Sequence, residues 1–99
     1  MYVVIFRAQI RQLDEYYTAM AAQLRQMALQ EYGCTAFHAS CESGQEIALS
    51  YWPDLASIQR WREASLHLEA KSMGRDSWYT AYSVDIARLE RGYSFNVDA

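Results

Sequence analysis

The residues best suited to chemistry lie between Ser50 and Tyr93. Three tryptophans (Trp52, Trp61, Trp78) and four of the eight tyrosines (Tyr51, Tyr79, Tyr82, Tyr93) fall in this stretch, together with His67 and Arg75. Indole and phenol rings offer wide apolar faces with a polar tip. Such a set can build a core or wall a pocket for a flat ligand. A histidine at the mouth of that pocket would act as a base or hydrogen-bonding group. Glu63, four residues before His67, could hold its ring, and Arg75 would supply a fixed positive charge. The expected site therefore has Trp61, Tyr79 and Tyr82 lining one cavity between helix and sheet, with Trp52 and Trp78 nearby and His67 and Arg75 at its polar end. On one unbroken helix His67 stands about 120° around from Trp61, since each residue turns roughly 100°. A break in that helix would bring the two together.

Other signatures are missing. The glycines, Gly33, Gly44, Gly74 and Gly92, cannot form a dinucleotide or phosphate loop, and no H-E-x-x-H occurs. Cys34, His38 and Cys41 invite a metal reading, but along a strand 34 and 38 share a face and 41 does not. No metal and no cofactor is expected. Cys34 and Cys41 read as structural thiols, too far apart in extended chain to pair, and His38 as a half-buried strand residue.

The elements that must position these groups follow from periodicity. Residues 2–10 read as a strand with Val3 and Ile5 on one face and Val4, Phe6 and Ala8 on the other. From about residue 12 to 32 the period becomes helical, through Leu13, Tyr16, Tyr17, Met20, Leu24, Met27 and Ala28, and Gly33 stops it. Residues 34–41 and 45–52 read as a hairpin turning at Glu42-Ser43-Gly44. Pro53 ends the strand, and Asp54 caps a helix running through Leu55, Ile58 and Trp61 to about Ser72. Residues 78–91 read as a long last strand, followed by a tail, 92–99. The order βαββαβ predicts a single α+β domain, 1–99, with a ferredoxin-like antiparallel sheet and two helices on one face. Two helices leave the other face open while strands one and three are apolar on both. A second copy packed sheet to sheet would cover it, so a homodimer is expected.

Composition narrows the partners. Of 99 residues, 52% are hydrophobic and 21% charged, with a net charge of −3. That describes a globular chain and argues against nucleic acid as its partner. No apolar run is long enough to span a bilayer. The start, Met1-Tyr-Val-Val-Ile-Phe-Arg, lacks the features of a targeting segment. The expected compartment is the cytoplasm, with no membrane partner.

The chain resembles the antibiotic biosynthesis monooxygenase domain family. The resemblance rests on Ser50-Tyr51-Trp52, the Leu55, Ile58, Trp61 helix, His67, Ala70, Gly74-Arg75, Trp78-Tyr79, Tyr82, the ending from Ala87 to Arg91, and the opening strand Tyr2-Val-Val-Ile-Phe-Arg. It implies a dimeric α+β barrel of ferredoxin-like protomers, each with a pocket between sheet and helices. Some members oxygenate electron-rich aromatics without metal or flavin, and others degrade haem. It carries the oxygenases' helix tryptophan onto Trp61, and a catalytic role with it beside His67 and Arg75. The haem-degrading pattern of a first-strand Asn, a helix Trp and a His ten residues later is not met. The one asparagine is Asn96, and Lys71 stands ten residues after Trp61. The expected function is cofactor-independent oxygenation of a phenol- or quinol-like substrate. The alternatives are a non-catalytic dimeric ligand-binding or stress-response module, or a haem-binding or haem-degrading member.

Overall fold

The computed structural model describes residues 1–11, 15–71 and 78–97. Six elements follow in order: β1 (Tyr2–Ile10), α1 (Glu15–Glu31), β2 (Ala36–Glu42), β3 (Gln45–Trp52), α2 (Leu55–Lys71) and β4 (Tyr79–Arg88). The four strands form one sheet in the order β2-β3-β1-β4, and each neighbouring pair is antiparallel. This is the ferredoxin-like βαββαβ arrangement.

Register shows which side chains share a face. Val4 pairs with Ser50 and Ile86, Phe6 with Ala48 and Val84, and Ala8 with Glu46 and Tyr82. These residues lie under the helices, where Val4, Ala8 and Ser50 are buried. The opposite face carries Val3, Ile5, Ile47, Leu49 and Tyr51, with an exposed Arg7–Asp85 ion pair at 3.3 Å. Ile47 on that face is exposed. Its alternation is as apolar as the residue pattern predicts.

Local chemistry sets the ends of the elements. Gly33, at φ 89°, turns the chain after α1 so that the Cys34 amide donates to the Ala28 carbonyl at 3.0 Å. Ser43 and Gly44 both have positive φ, 52° and 77°, which is the two-residue turn whose twist suits a hairpin. The Ser57 amide donates to Asp54 Oδ1 at 2.7 Å and caps α2. That bond holds the Asp54 carboxyl below the usual carboxylate range. β2 begins at Ala36, two residues later than the residue pattern predicts, since the Cys34 amide is still bound to the Ala28 carbonyl of α1; the Cys34 thiol donates to the Ala36 carbonyl at 3.1 Å. Cys34 is buried, which pushes its thiol pKa up, and Cys41 is exposed; both are free.

Two core clusters stand on the covered face. Val4, Ala28, Cys34, Trp52 and Ile58 form one, with Phe37 and Trp61 packed against it. Tyr17, Met20 and Trp78 form the other, with Leu24 and Tyr79 against it. Trp52 is fully buried and its indole N–H donates to Ser50 Oγ at 2.8 Å, leaving no orphan donor. Among the described residues no helix is long and apolar enough to cross a membrane.

Candidate functional site

Between the sheet and the helices lies a cavity of about 250 Å³ that reaches both core clusters. Its walls are mostly apolar and aromatic: Val4 and Phe6 from β1, Met20 and Leu24 from α1, Phe37 from β2, Ile58 and Trp61 from α2, and Trp78, Tyr79, Tyr82 and Val84 at the last strand. Phe6 packs against Tyr79 at 5.7 Å and Tyr82 at 5.9 Å between ring centroids. Tyr17 meets Trp78 at 5.7 Å, edge to face. Rings at these separations hold one another by both area and quadrupole.

Strict alternation along β4 would place Tyr79 and Tyr82 on opposite faces. The structure avoids this with an irregularity. Ile10 pairs with Tyr79 while Gln9 pairs with Ala81, so Thr80 is an extra residue in the ladder. Such a bulge re-aims the side chains beyond it. Both tyrosines thereby line the cavity, with their rings 5.6 Å apart.

Trp61 is held from both sides. Its indole N–H donates to the Leu24 carbonyl of α1 at 3.1 Å. Its ring lies 5.3 Å from Trp52 and 6.4 Å from Phe37. With its one donor taken, Trp61 has no free N–H to offer the cavity it lines.

The acidic side chain on the cavity wall, among the described residues, is Glu46 of β3. Alternation from Trp52 through Ser50 and Ala48 places it beneath the helices. The Tyr17 hydroxyl donates to Glu46 Oε2 at 2.5 Å, a short charge-assisted bond. Burial, then the bond to Glu46 and the adjacent Tyr79, raise the Tyr17 phenol far above its ordinary pKa. Two arginines, Arg25 of α1 and Arg62 of α2, also border the cavity, and Arg25 lies over the Phe37 ring at 5.8 Å.

Of the residues singled out by sequence, Trp61, Trp78, Tyr79 and Tyr82 stand together on this wall. Trp52 belongs to the core beneath it. His67 does not line the cavity. It is exposed, in a shallow dent with Tyr32, Arg60, Glu63 and Ala64. The reason is the helix itself: α2 runs unbroken from Leu55 to Lys71 and keeps His67 and Trp61 apart. The Glu63 carboxylate accepts from Gln59 at 3.2 Å. Arg75 lies outside the described residues. His38 is exposed on the open sheet face, edge-on to Tyr51 at 6.3 Å, where no layer formed by the described residues covers it. No cluster of His, Cys, Asp and Glu suited to a metal occurs among the described residues. The polar end of the cavity, Tyr17 and Glu46, was readable only in part. Alternation marks the face of Glu46, but its partner comes from a helix 29 residues away in sequence.

Solved structures share this fold. SnoaB from Streptomyces nogalater, a cofactor-independent oxygenase, superposes with a TM-score of 0.74 at 9% identity, covering 92% of this chain and 94% of that one. A protein solved as an antibiotic biosynthesis monooxygenase superposes at 0.71 with 16% identity, covering 92% and 100%. The protein therefore has the ferredoxin-like α+β fold of the antibiotic biosynthesis monooxygenases. No protein-family model matches the chain. YqjZ of Bacillus subtilis, an uncharacterized protein, is 32% identical over 91 residues, covering 91% of this chain and 80% of that protein. The chain belongs to the YqjZ family.

The Tyr17 phenol gives a pH prediction. Its folded pKa lies above the unfolded value of about 10, so the stability it contributes is complete below that pH and is lost as pH rises beyond it. Urea melts at increasing alkaline pH should show a decline in the native protein that is smaller in Tyr17→Phe. Equal declines in both would show that another group is responsible.

Proposed function

We propose that the protein is a monooxygenase that oxygenates a small phenol- or quinol-like substrate in this cavity without a cofactor. The observation that carries the reading is the cavity's size and lining. About 250 Å³ falls just under the space used by drug-sized ligands, about 300–1,000 Å³, and suits one or two rings. The shared fold with SnoaB, a cofactor-independent oxygenase, supports it.

Ground-state oxygen is a triplet and reacts slowly with closed-shell molecules. An aromatic hydroxyl that gives up its proton transfers an electron more readily. In the overall reaction a ring C–H para to the hydroxyl becomes a carbonyl and the hydroxyl becomes the second carbonyl of a quinone. The substrate supplies all four electrons. One oxygen atom enters the product; the other leaves as water with the two hydrogens from the C–H and O–H bonds. No outside reductant is needed. The protein's part is to hold the ring between Phe6, Trp61, Trp78, Tyr79 and Tyr82, exclude water, and provide polar groups for the hydroxyl. Trp61 serves as a flat wall. His67, outside the cavity, has no place in this proton path.

The same reading includes a homodimer. Val3, Ile5, Ile47, Leu49 and Tyr51 make one apolar face, and Tyr93, Phe95 and Val97 of the tail are exposed at 100%, 83% and 88%. A second copy would cover both. Light scattering at micromolar concentration should give twice the chain mass; the mass of a single chain would reject the dimer.

Oxygen uptake with a panel of phenols, hydroquinones and naphthols tests the activity. At least one phenol or naphthol with a free para C–H should consume one O₂ per quinone formed, with one labelled oxygen atom from O₂ in the quinone and no peroxide released. Trp61→Ala should weaken its binding roughly tenfold, the order of one lost aromatic wall, and His67→Ala should leave turnover unchanged. Tight binding across the panel with no oxygen consumed would leave a ligand-binding module in place of an enzyme.

A further inference from the structure

We infer that the Glu46 carboxylate, steadied by the Tyr17 hydroxyl on the floor of the cavity, is the acceptor by which this site selects ligands bearing an aromatic O–H and turns away ligands bearing a carboxylate there. The inference rests on reading the cavity as the site of a small aromatic.

Glu46 is partly buried and shares the cavity wall with Phe6, Trp78, Tyr79 and Tyr82. A carboxylate in such surroundings is costly unless its lone pairs are used. The bond from Tyr17 occupies one of about four acceptor positions. Among the described residues the ion pair is Arg7–Asp85 on the other face of the sheet, and Glu46 has no cation within salt-bridge distance. Arg25 and Arg62 border the cavity from the helices without pairing with it. The carboxylate therefore borders a space shaped for a ring with acceptor positions beyond the one that Tyr17 uses. A donor that enters satisfies it; a second anion repels it.

Tyr17 acts through Glu46 and is a positioning residue. It sits in the core with Met20 and Trp78, so its hydroxyl is delivered from a fixed place. Tyr79 and Tyr82 close the same end of the cavity. A bound phenol keeps its proton at rest, since carboxylic acids as a class are much stronger acids than phenols. As the ring is oxidised by O₂, the hydroxyl proton passes to Glu46 and the O–H bonding pair stays on the substrate oxygen. Glu46 then releases that proton to the departing water and recovers its charge.

The test is binding without oxygen, so that it does not depend on turnover. The probes are 4-nitrophenol, 4-nitroanisole, which lacks the hydroxyl hydrogen, and 4-nitrobenzoate. The native protein should bind 4-nitrophenol at least about tenfold more tightly than 4-nitroanisole, the worth of one good hydrogen bond to a charged acceptor. It should bind 4-nitrobenzoate most weakly. Bound 4-nitrophenol should resist ionisation, so its yellow phenolate band appears at a higher pH than for the free molecule. In Glu46→Gln the preference over nitroanisole should shrink to about twofold and the phenolate band should return to its free position. Tyr17→Phe should fall between. The native-protein comparison needs no variant to fold, and circular dichroism checks that both variants do. Failure of the native protein to bind 4-nitrophenol, or no preference over nitroanisole, overturns the inference. So does a preference that survives in Glu46→Gln. Selective binding with no oxygen uptake would instead uphold it and remove the monooxygenase.

Discussion

The alternation of side chains along β3 is the constraint from which the site follows. A strand sends every second side chain to the same face. Trp52 and Ser50 must go under the helices to make a core, so Ala48 and Glu46 go there too. The sheet thus carries a carboxylate into a region that its other residues make apolar. A shift of one residue would free Glu46 but would expose Trp52 and bury Leu49 and Tyr51 in its place. The fold can keep its core only by accommodating the charge. Tyr17, from the first full turn of α1, supplies the donor.

The cavity's shape comes from a second set of compromises. Trp61 packs against one core cluster and Trp78 and Tyr79 belong to the other, and the cavity reaches both. Trp61 is further restrained by its hydrogen bond to the Leu24 carbonyl, which ties α2 to α1 and prevents the indole from swinging into the gap. The bulge at Thr80 turns Tyr79 inward beside Tyr82. The result is a walled volume with aromatic faces along its length and its acidic group at the end where Tyr17, Tyr79 and Tyr82 gather. Position along β3 separates this end from the Trp61 end: Glu46 and Ser50 are four residues apart, about 13 Å of extended chain. Phe6, Ala48 and Val84 line the cavity between the two ends.

Much of this was legible in the residues, for identifiable reasons. The strands and helices followed from period, and Ser43-Gly44, Gly33 and Asp54 marked their ends through turn and cap chemistry that depends on neighbours in the chain. The gathering of Trp61, Trp78, Tyr79 and Tyr82 followed from their bunching around α2 and β4. What was not legible needed contacts between distant segments. The Tyr17–Glu46 bond joins residues whose proximity depends on how α1 lies across β3. The bulge opposite Gln9 and Ile10 has no glycine or proline to announce it. His67 drew attention as a familiar base, and its own position on an unbroken helix already carried it away from Trp61.

The proposed site holds a small hydroxylated aromatic inside, between Trp61 and Glu46, and not in the surface dent beside His67. Intermolecular nuclear Overhauser effects from a bound naphthol, collected without oxygen, test it most directly. Effects are expected to the side chains of Phe6, Trp61 and Tyr82, with the proton nearest the naphthol oxygen close to Glu46. Effects to Tyr32 and His67 in their place would contradict it.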